Sequence, residues 1–328
     1  YVLSRVPAKY ATTEIGTLHT IIEQAKVERE AEIARNVLDA IDVISKNPHH
    51  AIKEDSSQNL QILLDKIYLD RGLDFRRYNR KVIERRIALR MFANNVDTYA
   101  AYLLLLLSNP AEYEKLFEVL CINVSEFFRD PPVWITIKYL LEDLIRKKTL
   151  DVTKPFRIWS AGCASGEEAY SIAILLKEIL GFDFPQYNIE IIATDVDKKC
   201  LKAAENAEYT VKSSLKNVEE KLLKRYFIPG AQGIYQLKKE IKHMVQFKYM
   251  DIIAEGAVEK VDIVLCRNVF IYFSRSLQEQ LLMKLYNSLK TNGHLVMGGA
   301  ETMLTEARTI FEEVDANARI YRKKPSVA

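Results

Sequence analysis

The chain has 328 residues, room for two domains, and its 48% hydrophobic content excludes a disordered chain. A net charge of +3 is too mild to imply nucleic acid by itself, and the longest apolar run, Ala100–Leu107, is too short to span a bilayer. The four cysteines and five histidines show neither C-x-x-C nor a zinc-type spacing, so reduced cytoplasmic thiols and no metal are expected.

In residues 1–58, Leu18, Ile21, Ile22 and Ala25, then Ile33, Val37, Ile41 and Ile44, recur at helical spacing. They predict one amphipathic helix, or two with a break near Glu28–Glu32, in an extension of unassigned role. Polar Asn47–Gln58, with Pro48, reads as a linker. Residues 59–128 read as an all-α domain. Its helices are a run through Leu60–Leu69 stopped at Gly72, then Asn79–Phe92, Thr98–Leu107 and Glu112–Cys121. Between Arg71 and Arg90 stand eight basic residues against Asp74 and Glu84 alone. This excess, with Arg76, Arg77, Arg80, Lys81 and Arg85 as partner-binding candidates, suggests an acidic partner surface. No aromatic interleaving suits stacked bases, so an acidic protein is favoured over nucleic acid. Residues 129–155 read as a linker helix, amphipathic over Trp134–Ile145.

The stretch 156–170, FRIWSAGCASGEEAY, is strand, small-residue turn and helix start, the opening unit of a nucleotide-binding α/β sheet. Gly162 lets the backbone approach a ligand, and free N–H groups at the helix start could bind its polar atoms. The turn is not G-x-G-x-x-G. Glu167 and Glu168 sit where a pyrophosphate would rest, and like charge there is unfavourable. A cationic amine or sulfonium fits better, which points to S-adenosylmethionine; the alternative is a plain strand–turn–helix with exposed glutamates. Ile189–Asp195 is a second strand whose terminal acid is placed for ribose hydroxyls, and Asp197 suits a helix cap.

Residues 206–243 break the rhythm and read as an inserted subdomain with a hairpin turning at Pro229–Gly233. The sheet resumes at Val245–Met250, followed by Asp251. Val261–Phe273 gives the fourth sheet strand and a loop with Arg267, Asn268 and Tyr272 at its carboxyl end, where open sheets bind ligands. Helix Leu277–Leu289, turn Thr291–Gly293 and strand His294–Met297 follow. Arg319–Arg322 is expected as a last antiparallel edge strand.

Five pieces together resemble the chemotaxis receptor methyltransferase family: NVSEFFR at 123–129, WSAGCASGEE at 159–168 with Tyr170-Ser171, Ala193-Thr-Asp195, CRNVFIYF at 266–273 and Gly298-Gly-Ala-Glu301. The resemblance spans about 59–322. It implies a Rossmann-like α/β domain binding S-adenosylmethionine, with S-adenosylhomocysteine as product and no metal, preceded by an all-α domain. Glutamate side chains on the cytoplasmic helical bundle of chemoreceptors would be the acceptors. Implied cofactor contacts are Asn123, Ser125, Arg129, Glu168, Asp195, Asp251, Ile252, Arg267 and Asn268, beside Gly162 from the turn. Arg129 and Tyr272 would lie nearest the reacting groups. The family often has an amide where Asp251 stands and threonine where Ser125 stands. The short hairpin turn suggests a member that needs no C-terminal pentapeptide tether on the receptor. An acceptor carboxylate is ionised at pH 7, so no general base is required. An RNA methyltransferase and a non-catalytic cofactor-binding docking module are the rival readings.

Overall fold

The computed structural model describes residues 27–39, 41, 57–121, 123–147 and 155–325. The chain divides into two compact units at Leu120/Cys121.

The first unit is helical: α1 (27–39), α2 (Ser57–Arg71), α3 (Arg80–Ala93), α4 (Tyr99–Ser108) and α5 (Pro110–Cys121). Helix α1 runs unbroken across Glu28–Glu32, so the expected break is not there; Leu18–Ala25 and residues 47–56 lie outside the described residues. Apolar residues three and four apart line one face of each helix and are buried: Leu60, Leu63, Leu64 and Ile67 of α2, Ile83, Ile87 and Met91 of α3, and Leu103, Leu106, Leu116 and Leu120. Asn79 and Thr98 cap α3 and α4 by accepting the amides of Lys81 and Ala101. Glu112, on the first turn of α5, is buried and charged because Arg90 and the Tyr102 hydroxyl donate to it.

The second unit holds a seven-stranded sheet of order β6-β2-β1-β7-β8-β10-β9. Its strands are β1 (Phe156–Ala161), β2 (Ile189–Asp195), β6 (Val245–Tyr249), β7 (Val261–Cys266), β8 (Leu289–Met297), β9 (Phe311–Asp315) and β10 (Ile320–Lys323). The first five pair in parallel, and β10 runs antiparallel to β8 and β9. The sheet grows from β1 toward β6, then reverses at β7, leaving a switch point between β1 and β7. Those two strands read as near-continuous apolar runs because both faces are covered.

Helices α6 (Pro131–Lys147), α7 (Glu167–Leu180), α8 (Lys198–Asn206) and α11 (Arg275–Ser288) accompany the sheet. Between α8 and β6 comes the insertion, with β3 (Glu208–Thr210), β4 (Phe227–Pro229) and β5 (Ile234–Leu237) in one antiparallel sheet and short helices α9 (Glu220–Tyr226) and α10 (Lys239–Lys242).

Several expectations change in detail. The 123–128 segment belongs with the second unit, and α6 is no free linker, since Val133, Trp134, Ile137 and Leu141 are built into that unit's core. The insertion holds the expected hairpin as β4 and β5 and adds a third strand, because Glu208–Thr210 pairs with β5 in a run too short to show alternation. Thr291–Gly293 is not a separating turn. It is an irregularity inside β8, where Val261 opposes Leu289 and Ile263 opposes His294, with Asn292 at φ 62°. Finally, β10 is not the edge. Phe311–Asp315 covers it, and the exposed Glu312 and Glu313 of that strand suit an edge that must not pair further.

Candidate functional site

The carboxyl ends of β2, β1, β7 and β8 meet at the switch point, and each contributes a loop. After β1, the amides of Gly162 and Cys163 both donate to the Thr194 carbonyl of β2, at 2.8 and 3.0 Å. Ala164 N–H donates to Asp195 Oδ2 at 2.8 Å, and Gly166 N–H to the Cys163 carbonyl. The turn's own amides are therefore spent largely on the protein itself, ahead of the helix start at Glu167. Gly162 is exposed at φ 76°, and a Cβ there would lie 2.7 Å from Val269 of the β7 loop, so this position takes only glycine without movement.

Asp195 ends β2 and is nearly buried. Its other oxygen accepts the Asp197 amide at 2.9 Å, so one carboxylate ties the β1 loop to the β2 loop. Asp197 caps α8 through the Lys199 and Cys200 amides, as expected, and also accepts Asn123 Nδ2 at 2.5 Å. Asp251 follows β6, beside β2, and accepts the Ile253 and Ala254 amides, which turns the chain directly after Ile252.

The two glutamates after the turn are not exposed. Glu168 accepts the Ser160 hydroxyl at 2.7 Å and faces Arg267 Nη1 at 3.7 Å. Glu167 is 1% exposed and accepts from Ser165 and Ser214. Arg267 is buried, and its Nη2 donates to the Arg129 carbonyl and to Asp130 Oδ2 at 2.9 Å. Its guanidinium stands 5.9 Å over the Trp134 ring, and its Nε is buried with no acceptor among the described residues. The loop it holds is bent by left-handed residues, Phe128 at φ 50° and Asp130 at φ 59°, and Arg129 Nη1 reaches back to the Val124 carbonyl.

Sequence reading missed a structural role for Glu301. Buried after β8, it accepts the amides of Asn268, Phe270 and Gly298 at 3.0, 2.7 and 2.6 Å. A Cβ on Gly298 would sit 2.7 Å from the Asn268 amide nitrogen, so glycine there lets the β8 loop close on the β7 loop. Asn268 itself is left-handed at φ 61°, and Tyr272 follows in a single 3-10 turn, half-buried. The acid signal was visible in Gly-Gly-Ala-Glu; its three amide partners were not.

Gly162, Asp195, Arg267 and Asn268 thus share one locality, with Asn123, Ser125, Arg129, Glu168 and Asp251 around it. Burial pushes the carboxyls of Glu167, Glu168, Asp195 and Glu301 above their ordinary range. Arg267 and the Ser160 hydroxyl oppose this at Glu168, and backbone amides oppose it at Asp195 and Glu301. Anionic groups outnumber the guanidiniums of Arg129 and Arg267, so the locality favours a cationic ligand and disfavours a pyrophosphate. The uncommitted Arg267 Nε and the close-packed glycine turn leave a donor and a backbone edge for such a ligand, so these residues fit an adenosyl sulfonium. Among the described residues no group of three potential ligands is arranged for a metal ion, and no helix is long and apolar enough to cross a membrane.

In the all-α unit, Arg76 is committed internally, to Asp74 at 2.5 Å and Asp65 at 2.7 Å, over the Tyr68 ring. Arg71 pairs with Glu114, and Arg80 with Glu84 and Ser57. Lys81 and Arg85 are exposed on α3, and the same stripe continues into Leu89 and Phe92, 59% and 85% exposed. The basic pattern of α3 signals its charge but not this exposed apolar end at Leu89 and Phe92.

A doubly covered parallel sheet with an acid ending its second strand and a glycine turn after its first defines a nucleotide-cofactor-binding α/β protein. The chain belongs to the CheR methyltransferase family: the family's SAM binding domain matches residues 123–320 and its all-alpha domain residues 58–121. A third match, over residues 1–48, is to the late competence development protein ComFB. Chemotaxis protein methyltransferase 2 of Pseudomonas aeruginosa is 30% identical over 268 residues, covering 80% of this chain and 91% of that one. The chemotaxis protein methyltransferase of Salmonella typhimurium is 29% identical over 242 residues, covering 72% and 80%. An uncharacterized 104.1 kDa protein of Rhodobacter capsulatus is 28% identical over 261 residues; the match spans 79% of this chain but 27% of that protein's length.

Proposed function

We propose that this chain methylates glutamate side-chain carboxylates on the cytoplasmic helical bundle of chemoreceptors, using S-adenosylmethionine. The observation that carries the cofactor half is the set of buried carboxylates on the loops after β1, β2 and β8, with Glu168 facing Arg267, Asp195 tying the β1 loop and Glu301 tying the β7 loop. When bound, the cofactor supplies a methyl carbon on a sulfonium, which passes to the acceptor oxygen as the carbon–sulfur pair returns to sulfur, leaving a methyl ester and a thioether.

Asp195 would hold the ribose, and Asp251 and Ile252 the adenine side, from the ends of adjacent strands. Asn123, Ser125, Asn268 and the Arg267 Nε would contact the remainder. Arg129 would orient the incoming carboxylate, and Tyr272 would position the acceptor by hydrogen bonding. An acceptor glutamate of pKa about 4.3 is already ionised at neutral pH, so no proton needs to move. Alignment and exclusion of water from two neutralising charges would then supply the acceleration.

The docking surface we assign is the α3 face bearing Lys81 and Arg85, with Arg77 on the turn just before the helix and Leu89 and Phe92 as its apolar end. Arg76 and Arg80 support it from within the unit's own ion pairs. The short β4–β5 connection supports docking that needs no pentapeptide tether. A labelled-methyl assay tests this reading: base-labile label is expected on receptor-bearing membranes and none on total RNA. Label on RNA alone would replace the proposal with an RNA methyltransferase. Lys81→Glu with Arg85→Glu is expected to raise the receptor KM about tenfold or more while leaving cofactor affinity unchanged. An unchanged KM would remove α3 from the docking surface.

A further inference from the structure

We propose that Glu167 couples the inserted subdomain to the Asn123–Arg129 loop, making that subdomain part of the frame of the cofactor site. The inference rests on the reading that this loop contacts the cofactor. Glu167 is a positioning residue. It opens α7 directly after the glycine turn, and its carboxylate is 1% exposed.

Two chain segments donate to its carboxylate, and the loop is tied to both its backbone and one of those segments. Ser165 of the turn donates to the carboxylate, 2.9 Å from either oxygen. Ser214, from the stretch between β3 and α9, donates to Oε1 at 3.1 Å. Backbone contacts run alongside. Phe127 N–H donates to the Ser214 carbonyl at 2.8 Å. Phe128 N–H donates to Ser171 Oγ, whose own proton goes to the Glu167 carbonyl at 2.7 Å. Tyr209 of β3 donates to the Ser165 carbonyl, and Lys216 pairs with Glu126. The Phe127 ring meets Tyr209 and Phe227 edge-on at 4.8 and 5.3 Å.

The chemistry explains why a carboxylate stands there. Its partners Ser165 and Ser214 are both hydroxyl donors, and a carboxylate offers about four acceptor positions on two oxygens. A glutamine would offer one oxygen, and its amide group would compete for the serines. The carboxylate also lies at a helix N-terminus, where the dipole favours negative charge. Removing the Ser214 hydroxyl unties from Glu167 the same segment whose carbonyl holds the Phe127 amide, so the position of the Asn123–Arg129 loop depends on Ser214. A force on the insertion would reach Asn123, Ser125 and Arg129 by this route.

A thermodynamic cycle on the full chain tests it, with S-adenosylhomocysteine binding read by calorimetry. Ser214→Ala is expected to weaken binding about fivefold in the wild-type background and to have no further effect in a Glu167→Gln background. Equal weakening in both backgrounds, or none in the wild type, would overturn the coupling. Should Glu167→Gln not fold, the cycle of Ser214→Ala with Ser171→Ala replaces it, since Ser171 links the Phe128 amide to the Glu167 carbonyl, and additive effects would overturn the proposal. If Asn123→Ala and Asp251→Ala leave affinity unchanged, it is the cofactor reading that fails.

Discussion

Replacing Asp195 by alanine is expected to weaken S-adenosylhomocysteine binding at least a hundredfold, to the point where calorimetry records no heat. Two losses add. The proposed ribose contact goes, and a charge-assisted hydrogen bond to a ligand hydroxyl contributes roughly 1.5–3 kcal/mol. The amides of Ala164 and Asp197 also lose their acceptor, which leaves the β1 and β2 loops untied on the side where the ligand must rest. Asp195→Asn separates the two, because its single carbonyl oxygen can retain one amide while the charge is gone. Asparagine should therefore keep a thermal midpoint nearer the wild type than alanine does, yet still bind poorly. Wild-type affinity in the alanine variant, with the fold intact by circular dichroism, would remove the ribose assignment.

Cofactor affinity should fall as pH drops from 7 to 5, by about tenfold for each proton that must be displaced per pH unit below the relevant pKa. Glu167, Glu168, Asp195 and Glu301 all have raised pKa values, chiefly through burial. In the unliganded protein these groups hold protons at pH values where unfolded carboxyls have lost theirs. Their contribution to stability is thus fully present below the unfolded values and is lost as pH rises through the raised ones. A sulfonium and an ammonium favour the ionised forms, so binding in that window must expel protons. Calorimetry in two buffers of different ionisation enthalpy should record the release, and Glu168→Gln should reduce it. Affinity independent of pH over this range would mean that these carboxylates do not sense the ligand's charge.

Much of this arrangement was legible in the residues because it is local. Strand, small-residue turn and helix lie within fifteen consecutive positions at 156–170, and the acid ending β2 follows an apolar run that could hardly be anything but a strand. The Asp197 cap was visible for the same reason. What was hidden depends on partners far apart in sequence. Nothing near Glu301 announces that it will accept amides 31 and 33 residues away. Nothing near Arg267 announces that it will spend its charge on Asp130, 137 residues earlier. The edge strand β9 escaped notice because an edge needs charge in place of alternating apolar residues. The exposed glutamates of the alternative reading failed because Glu167 is buried against Ser214, 47 residues further on.

The clasp formed by Glu301 also has a bearing on biosynthesis. A ribosome delivers the glycine turn and Asp195 long before it delivers residue 301, yet the backbone around Asn268 is held in its left-handed bend by that late carboxylate. A growing polypeptide that has exposed only its first four parallel strands would lack this fastening and should not retain the nucleoside ligand. Full binding capacity would arrive at once, near the end of translation, sparing the cell a population of half-made chains that sequester its methyl donor.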